Sequence, residues 1–185
     1  RSEISIPNIC QNPTRIGLQK TLIEMGADIK TENKRVIGGE PIADLSIRHR
    51  TLKGVNIPAD RSPSMIDEYP ILAILASIAE GKTVMNGIKE LRVKESDRIN
   101  AVSEGLRNSG VETEETEDSL TVFGKSGLVS GGSLIKTYSD HRIAMSFLCL
   151  DLISKERIKV DNLEVINTSF KEFFDSMSSI GAKFD

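Results

Sequence analysis

The run Leu91-Arg92-Val93-Lys94-Glu95-Ser96-Asp97-Arg98-Ile99 gathers the residue types that carry chemistry. Lys94, Glu95, Asp97 and Arg98 fall within five positions, with apolar residues on either side. If the run opens a helix, Lys94 and Arg98 are four apart and share a face, with Glu95 one residue round from Lys94. Two cations so placed can hold a dianionic ligand, and a carboxylate beside them can move a proton. A solvated helix start would show the same charges, because such clusters are common on surfaces. Charge alone leaves both readings open.

A second pair of polar residues lies at the mouths of two apolar segments. Asp67 precedes the stretch Pro70 to Glu80, and Arg142 precedes Ile143 to Ile153, inside Ser139-Asp140-His141-Arg142. Setting Met85-Asn86-Gly87-Ile88 over Val160-Asp161-Asn162-Leu163 gives an offset of 75, which places Asp67 opposite Arg142. Asp67 could equally cap a helix N-terminus. His141 by itself reads as a hydrogen-bonded structural residue. A cation such as Arg142 is disfavoured at a helix N-terminus, so an anion is expected to compensate it.

The elements that must position these residues repeat along the chain. Leu22-x-x-Met25-Gly26-Ala27-Asp28-Ile29, Leu106-x-x-x-Gly110-Val111-Glu112 and Met177-x-x-Ile180-Gly181-Ala182-Lys183-Phe184 share one form. Each predicts the last turn of an amphipathic helix, a glycine cap and then a strand. Upstream of each stands a strand–turn signal, at Ile6-Pro7-Asn8-Ile9, Met85-Asn86-Gly87-Ile88 and Val160-Asp161-Asn162-Leu163. Three strand–turn–helix–glycine–strand units follow. The stretches Pro70 to Glu80 and Ile143 to Ile153 are apolar nearly all round, and helices without a polar face are buried. Leu45-Ser46-Ile47-Arg48, Leu120-Thr121-Val122-Phe123 and Leu134-Ile135-Lys136-Thr137 complete the set as strands. The result is an α/β repeat with helices toward the inside. No strand runs into a glycine-rich phosphate loop, which argues against an open doubly wound sheet. From Ile9 to Gly26 is 17 residues, from Leu163 to Gly181 is 18, and from Ile88 to Gly110 is 22. The middle unit therefore carries an insertion, expected at the Lys94–Arg98 cluster, and loops on a rigid scaffold are where sites sit.

Composition closes off other classes. The chain has 185 residues, enough for one domain with a proper core. Its net charge of -3, from 24 Lys+Arg against 27 Asp+Glu, argues against nucleic acid and a polybasic membrane anchor. Two Tyr, six Phe and no Trp offer little for base stacking. Cys10 and Cys149 form no disulfide framework, and two His make no zinc pattern. The longest apolar stretch, Ile71 to Ala79, is too short to span a bilayer. No signal peptide is evident, so a cytoplasmic protein is expected. The start at Arg1 suggests a piece of something longer.

Together these residues resemble the 5-enolpyruvylshikimate-3-phosphate (EPSP) synthase family. The matching stretches are Leu91 to Arg98, Pro63-Ser-Met-Ile-Asp-Glu-Tyr-Pro70, Ser139-Asp-His-Arg-Ile-Ala-Met145 and Thr168-Ser169-Phe170. The run Asn12-Pro13-Thr14-Arg15-x-Gly17 is similar to the class II branch, often glyphosate-insensitive. The resemblance covers the whole chain, but the family's enzymes are more than twice as long. It implies that residues 1–185 are a single lobe, most of the carboxy-terminal domain of a two-domain enolpyruvyl transferase, with the other lobe absent. The implied fold is a pseudo-threefold repeat of βαβαββ units, helices inside and sheets outside.

The implied reaction moves enolpyruvyl from phosphoenolpyruvate (PEP) to the 5-hydroxyl of shikimate 3-phosphate and releases phosphate, in the shikimate pathway of aromatic amino-acid biosynthesis. No metal or organic cofactor is implied. By motif, Asp67 would contact the ring hydroxyls and help manage the 5-hydroxyl proton. Glu95 would exchange a proton with the PEP methylene carbon, and Lys94 would lie near the 5-hydroxyl. Arg98 and Arg142 would grip the PEP carboxylate, a task suited to guanidinium forks, with His141 behind them. Thr168 stands where some members have a Lys, and Glu90 where some have an Asn. The partners implied are the two small substrates and the missing amino-terminal lobe, with no nucleic acid and no membrane, in a full-length monomer. The fragment alone is expected to be inactive. A UDP-sugar enolpyruvyl transferase would share the architecture but not the Lys-Glu-Ser-Asp-Arg run. RNA 3'-phosphate cyclases share related repeats, yet the low basicity argues against them. A stand-alone lobe binding anions or partners is the non-enzymatic alternative.

Overall fold

A computed structural model describes residues 2–184. The first segment comprises β1 (Glu3–Cys10), α1 (Gly17–Glu24), β2 (Asp28–Ile37) and β3 (Glu40–Arg48). Its strands form an antiparallel sheet in the order β1-β3-β2. The second is β4 (Asn56–Ile57), α2 (Tyr69–Ile78), β5 (Glu80–Met85), α3 (Arg98–Asn108), β6 (Glu112–Glu115) and β7 (Leu120–Lys125), a complete βαβαββ unit. Its sheet runs β4-β5-β7-β6, with β4 parallel to β5 and the other pairings antiparallel. The third comprises β8 (Val129–Gly131), β9 (Leu134–Ile135), α4 (His141–Asp151), β10 (Ser154–Glu156), β11 (Lys159–Val160) and α5 (Phe173–Ser179). Here β8 pairs with β10 and β9 with β11, both parallel.

The three glycine signals end α1, α3 and α5 in the same way. Gly26, Gly110 and Gly181 all lie at positive φ, between 83° and 97°. The amides that follow them, on Ala27, Val111 and Ala182, donate to the carbonyls of Leu22, Leu106 and Met177 at 2.9, 2.9 and 3.0 Å. That closes the helix ends with a left-handed residue that a side chain would strain. β2 and β6 then follow the first two caps, as the repeat predicts. Residues 182–184 form no strand among the described residues, so the third cap departs from the predicted repeat there.

The apolar helices are inside. Leu72, Ala73, Ile74 and Ala76 of α2 and Ile143, Phe147 and Leu150 of α4 are essentially inaccessible. They join Ile99, Val102 and Leu106 of α3 and Val122 of β7 in one core. Each fully buried Leu, Ile or Phe contributes about 1.5–3 kcal/mol. Glycines let the layers close. A Cβ on Gly105 of α3 would lie 2.2 Å from Phe147 Cζ, and one on Gly124 of β7 would lie 2.2 Å from the Ala79 carbonyl.

The extra length of the middle unit falls elsewhere than expected. α3 has 11 residues against 8 in α1 and 7 in α5. The insertion therefore adds a turn to the helix, and the charged cluster sits on a connection that the third unit also has. Lys94 to Asp97 are not helical, and α3 opens at Arg98 behind the Asp97 cap. Lys94 and Arg98 thus share no helix face.

Candidate active site

The connection from β5 to α3 begins with a 3-10 turn, Lys89–Val93, and the capping Asp97 accepts the Asn100 amide at 3.0 Å. Arg92 braces it, donating to both Asp97 oxygens at 3.1 and 2.8 Å. The apolar Ile99 and Leu91 on either side are buried, which draws Arg98 into the lobe. Its side chain is 1% exposed.

Three carboxylates meet that guanidinium. Nε donates to Asp140 Oδ2 at 2.8 Å, Nη1 to Asp67 Oδ1 at 3.0 Å, and Nη2 to Glu95 Oε2 at 2.6 Å. A longer contact of 3.3 Å joins Nη2 to Asp140 Oδ1. The partners differ in kind. Asp140 is wholly inaccessible, whereas the side chains of Asp67 and Glu95 are 38% and 50% exposed. Asp140 is thus a fixed anchor behind Arg98. Asp67 and Glu95 occupy its outer edge and are in reach of water.

Asp140 also organises the other side of the site. It caps α4, accepting the Arg142 amide at 2.9 Å, and takes a hydrogen bond from Ser96 Oγ at 3.0 Å. The carboxylate at this cap offsets the positive end of the α4 dipole, while the Arg142 guanidinium reaches away to the Asp67 carbonyl. Burial acts to raise the Asp140 pKa, but Arg98, Ser96 and the Arg142 amide outweigh it and hold the carboxyl below its usual range. Two successive non-glycine residues at positive φ, Tyr138 and Ser139, turn the chain so that Asp140 points inward. Thr137 pins that turn through its amide and hydroxyl to Asp161 Oδ1, at 2.9 and 2.7 Å.

The sequence-level pairing of Asp67 with Arg142 is a physical contact: Arg142 Nη1 donates to the Asp67 carbonyl at 2.8 Å. Asp67 lies in a 3-10 turn, Ile66–Glu68, just before α2, and the cap position is taken by Glu68. Its carboxylate is therefore spent on Arg98, with Lys94 Nζ 3.6 Å away, and not on capping. Lys94 pairs more closely with Glu90, at 2.5 Å, and that hydrogen bond raises its pKa. Half-buried Glu68 has its pKa raised by burial, which Arg142 opposes. His141 is the first residue of α4 and half-buried. Thr168 ends a 3-10 turn and donates to the Val165 carbonyl at 2.7 Å.

The structure thus brings Asp67, Lys94, Glu95, Arg98 and Arg142 to one end of the lobe, where the helices α2, α3 and α4 begin. Sequence reasoning missed Ser96 and Asp140. The signal for Asp140 was present, since an Asp directly before an apolar helix is a preferred cap. Among the described residues no cluster of His, Cys, Asp and Glu has the form of a metal site, and no helix is long and apolar enough to cross a membrane.

The lobe has the fold of the enolpyruvyl transferases. It matches the enolpyruvyl transferase NikO from Streptomyces tendae over 98% of this chain and 39% of that one, with a TM-score of 0.73 and 19% identity, a likeness of fold alone. Within that class the chain belongs to the EPSP synthase family, whose family model, EPSP synthase (3-phosphoshikimate 1-carboxyvinyltransferase), matches residues 1–177. The EPSP synthase structure from Acinetobacter baumannii superposes with a TM-score of 0.92 at 42% identity, covering 97% of this chain and 42% of that one. The 3-phosphoshikimate 1-carboxyvinyltransferase of Paracoccus denitrificans is 56% identical over 184 residues, all of this chain and 41% of its own length. That of Chelativorans sp. is 55% identical over 185 residues, again 41% of its length. The chain therefore spans about two fifths of the curated relatives it matches.

Proposed function

We propose that this chain is the carboxy-terminal lobe of a cytoplasmic 3-phosphoshikimate 1-carboxyvinyltransferase that acts as a monomer on PEP and shikimate 3-phosphate. The observation that carries the reading is the whole-length identity to that family, joined to a cluster in which acids and bases flank a buried guanidinium.

The residues divide the work by position. Asp67 receives the 5-hydroxyl proton as that oxygen attacks C2 of PEP, with Lys94 beside it to offset the charge. Glu95 delivers a proton to the methylene carbon, and takes one back from the resulting methyl group when phosphate leaves. Microscopic reversal of this kind suits carboxylates held next to cations. Arg98 and Arg142 take the PEP carboxylate. Asp140 keeps Arg98 in place from behind while the outer partners, Asp67 and Glu95, give way to the incoming anion. His141 steadies the first turn of α4.

The same charges support the expectation that the lobe alone does not turn over. Asp67, Glu90, Glu95 and Asp140 stand against Lys94, Arg98 and Arg142, so the cluster is net acidic before any anion arrives. Two anionic substrates need further cations, which the amino-terminal lobe would supply. The test is phosphate release from PEP plus shikimate 3-phosphate by the two-lobed polypeptide and by residues 1–185. Turnover in the first and none in the second is expected. An inactive two-lobed protein would overturn the assignment, and turnover by the lobe alone would overturn the division of labour.

A further inference from the structure

Lys94, Glu95 and Ser96 make no backbone–backbone hydrogen bond among the described residues. The segment between the 3-10 turn Lys89–Val93 and α3 is therefore held through side chains. Such a segment is easily displaced, and an error of about 1 Å in a reacting group can cost about 10²-fold in rate. Two arginines close it at its ends. Arg98 ties the inner end to Asp140. Arg92 ties the outer end, and its acceptors come from two places in the fold.

One arm of the Arg92 guanidinium is the fork on the Asp97 carboxylate. The rest reaches the turn between β6 and β7, where Nε donates to the Glu117 carbonyl at 2.9 Å and Nη2 to the Thr116 carbonyl. Nη2 also lies 3.8 Å from Glu115 Oε2, a buried oxygen with no hydrogen-bond partner among the described residues. The turn is itself stiff. The Thr116 amide donates to the Ser119 carbonyl at 3.0 Å, and their hydroxyls are 2.7 Å apart. The Ile88 amide donates to the Asp118 carbonyl at 2.8 Å, so turn and connection meet a second time. A planar guanidinium holds several acceptors in fixed directions, which an ammonium does not. Backbone carbonyls carry no net charge, so this anchor does not depend on what anion enters the site.

We infer that Arg92 is a positioning residue for Glu95: it fastens the connection to the β6–β7 turn, so that the Glu95 carboxylate keeps its place once substrate has taken Arg98. The inference rests on the proposed enolpyruvyl transfer. In the unliganded lobe Glu95 is held by Arg98 Nη2 at 2.6 Å. When PEP claims that guanidinium, Glu95 loses this ion pair. What still fixes the segment beside it is Ser96 Oγ on Asp140 and the Arg92–Asp97 fork. Lys94 keeps its own tie to Glu90, so the burden falls on Glu95. Arg92 therefore matters most in the loaded site, and its loss falls on kcat and not on KM.

The test uses the two-lobed polypeptide with Arg92→Gln, Glu95→Gln and the double variant. Arg92→Gln is expected to lower kcat by about 10- to 100-fold and to change KM for PEP by less than about threefold. In the Glu95→Gln background the same substitution is expected to cost about threefold or less, because the group it positions is gone. Losses that add fully in this cycle, or a raised KM with kcat kept, would overturn the inference. Arg92→Lys keeps the charge and loses the fork, and it stands in with the same expected pattern if Arg92→Gln does not fold. Amide hydrogen exchange over residues 93–97 reads the clamp without turnover. Exchange about tenfold faster in the variant is expected, with α2 and α4 unchanged. Equal exchange in variant and parent would overturn the clamp. An inactive parent would overturn the proposed reaction instead, and the exchange comparison would still decide the clamp.

Discussion

Replacing Arg98 with Ala should be among the most damaging single changes in this lobe, and its cost should depend on pH. Of the three ion pairs lost, two involve carboxylates that water reaches, Asp67 and Glu95. Screening limits each of those to about 0–1 kcal/mol. The third leaves Asp140 wholly inaccessible with only Ser96 and the Arg142 amide as donors. Stripping one partner from a buried pair costs about 3–5 kcal/mol, so that pair decides the total. For a chain of this size the thermal midpoint should fall by about 6–20 °C near pH 7. The pH dependence follows from Asp140. Its folded pKa is depressed, so its contribution is present above the unfolded value and is lost as pH falls through the folded value. Without Arg98, burial dominates and the folded pKa rises above the unfolded one. The variant is then penalised most where an unfolded Asp is ionised, and the gap to the parent narrows as pH drops below about 4. Circular dichroism melts at pH 7 and at mildly acid pH measure both effects. A midpoint change under about 2 °C, or a gap that does not narrow in acid, would refute the buried-pair argument.

Other substitutions separate chemistry from scaffolding. In the two-lobed protein Glu95→Gln should lower kcat by about 10²–10⁴-fold while moving the melting midpoint little, because its pair with Arg98 is half exposed; phosphate-release kinetics and a melt check both. Gly105→Ala should destabilise by about 1–3 kcal/mol despite the better helix propensity of Ala, since its methyl would collide with the buried Phe147 ring; denaturant titration reads the loss. The two thiols should differ sharply at pH 8. Cys10 is exposed and should react with a disulfide reagent within the mixing phase, whereas burial pushes Cys149 up to about 11 and should leave it unreactive until the lobe unfolds.

The sequence by itself determined the repeat and its inner helices. Glycine at fixed distance past an amphipathic run has one inexpensive use, the left-handed cap, and all three candidates adopt it. Helices apolar on every face have nowhere to go but inward, and α2 and α4 went there. The offset of 75 set Asp67 opposite Arg142, and the two meet, through a backbone carbonyl that the offset did not single out. Tertiary structure decided the local course of the charged run and the partners of its side chains. Helical spacing put Lys94 and Arg98 on one face, but the helix begins only at Arg98, behind the Asp97 cap, so Lys94 lies outside it and pairs with Glu90 instead. That Arg98 is buried among three carboxylates depends on residues 31 and 42 positions away, whose approach is set by the packing of α2 and α4 on α3. Asp140 is a helix cap in the sequence and an anchor for a guanidinium only in three dimensions. Periodicity and capping act over a few residues and leave their mark in the chain, whereas charge pairing across the core acts between segments that only the fold brings together.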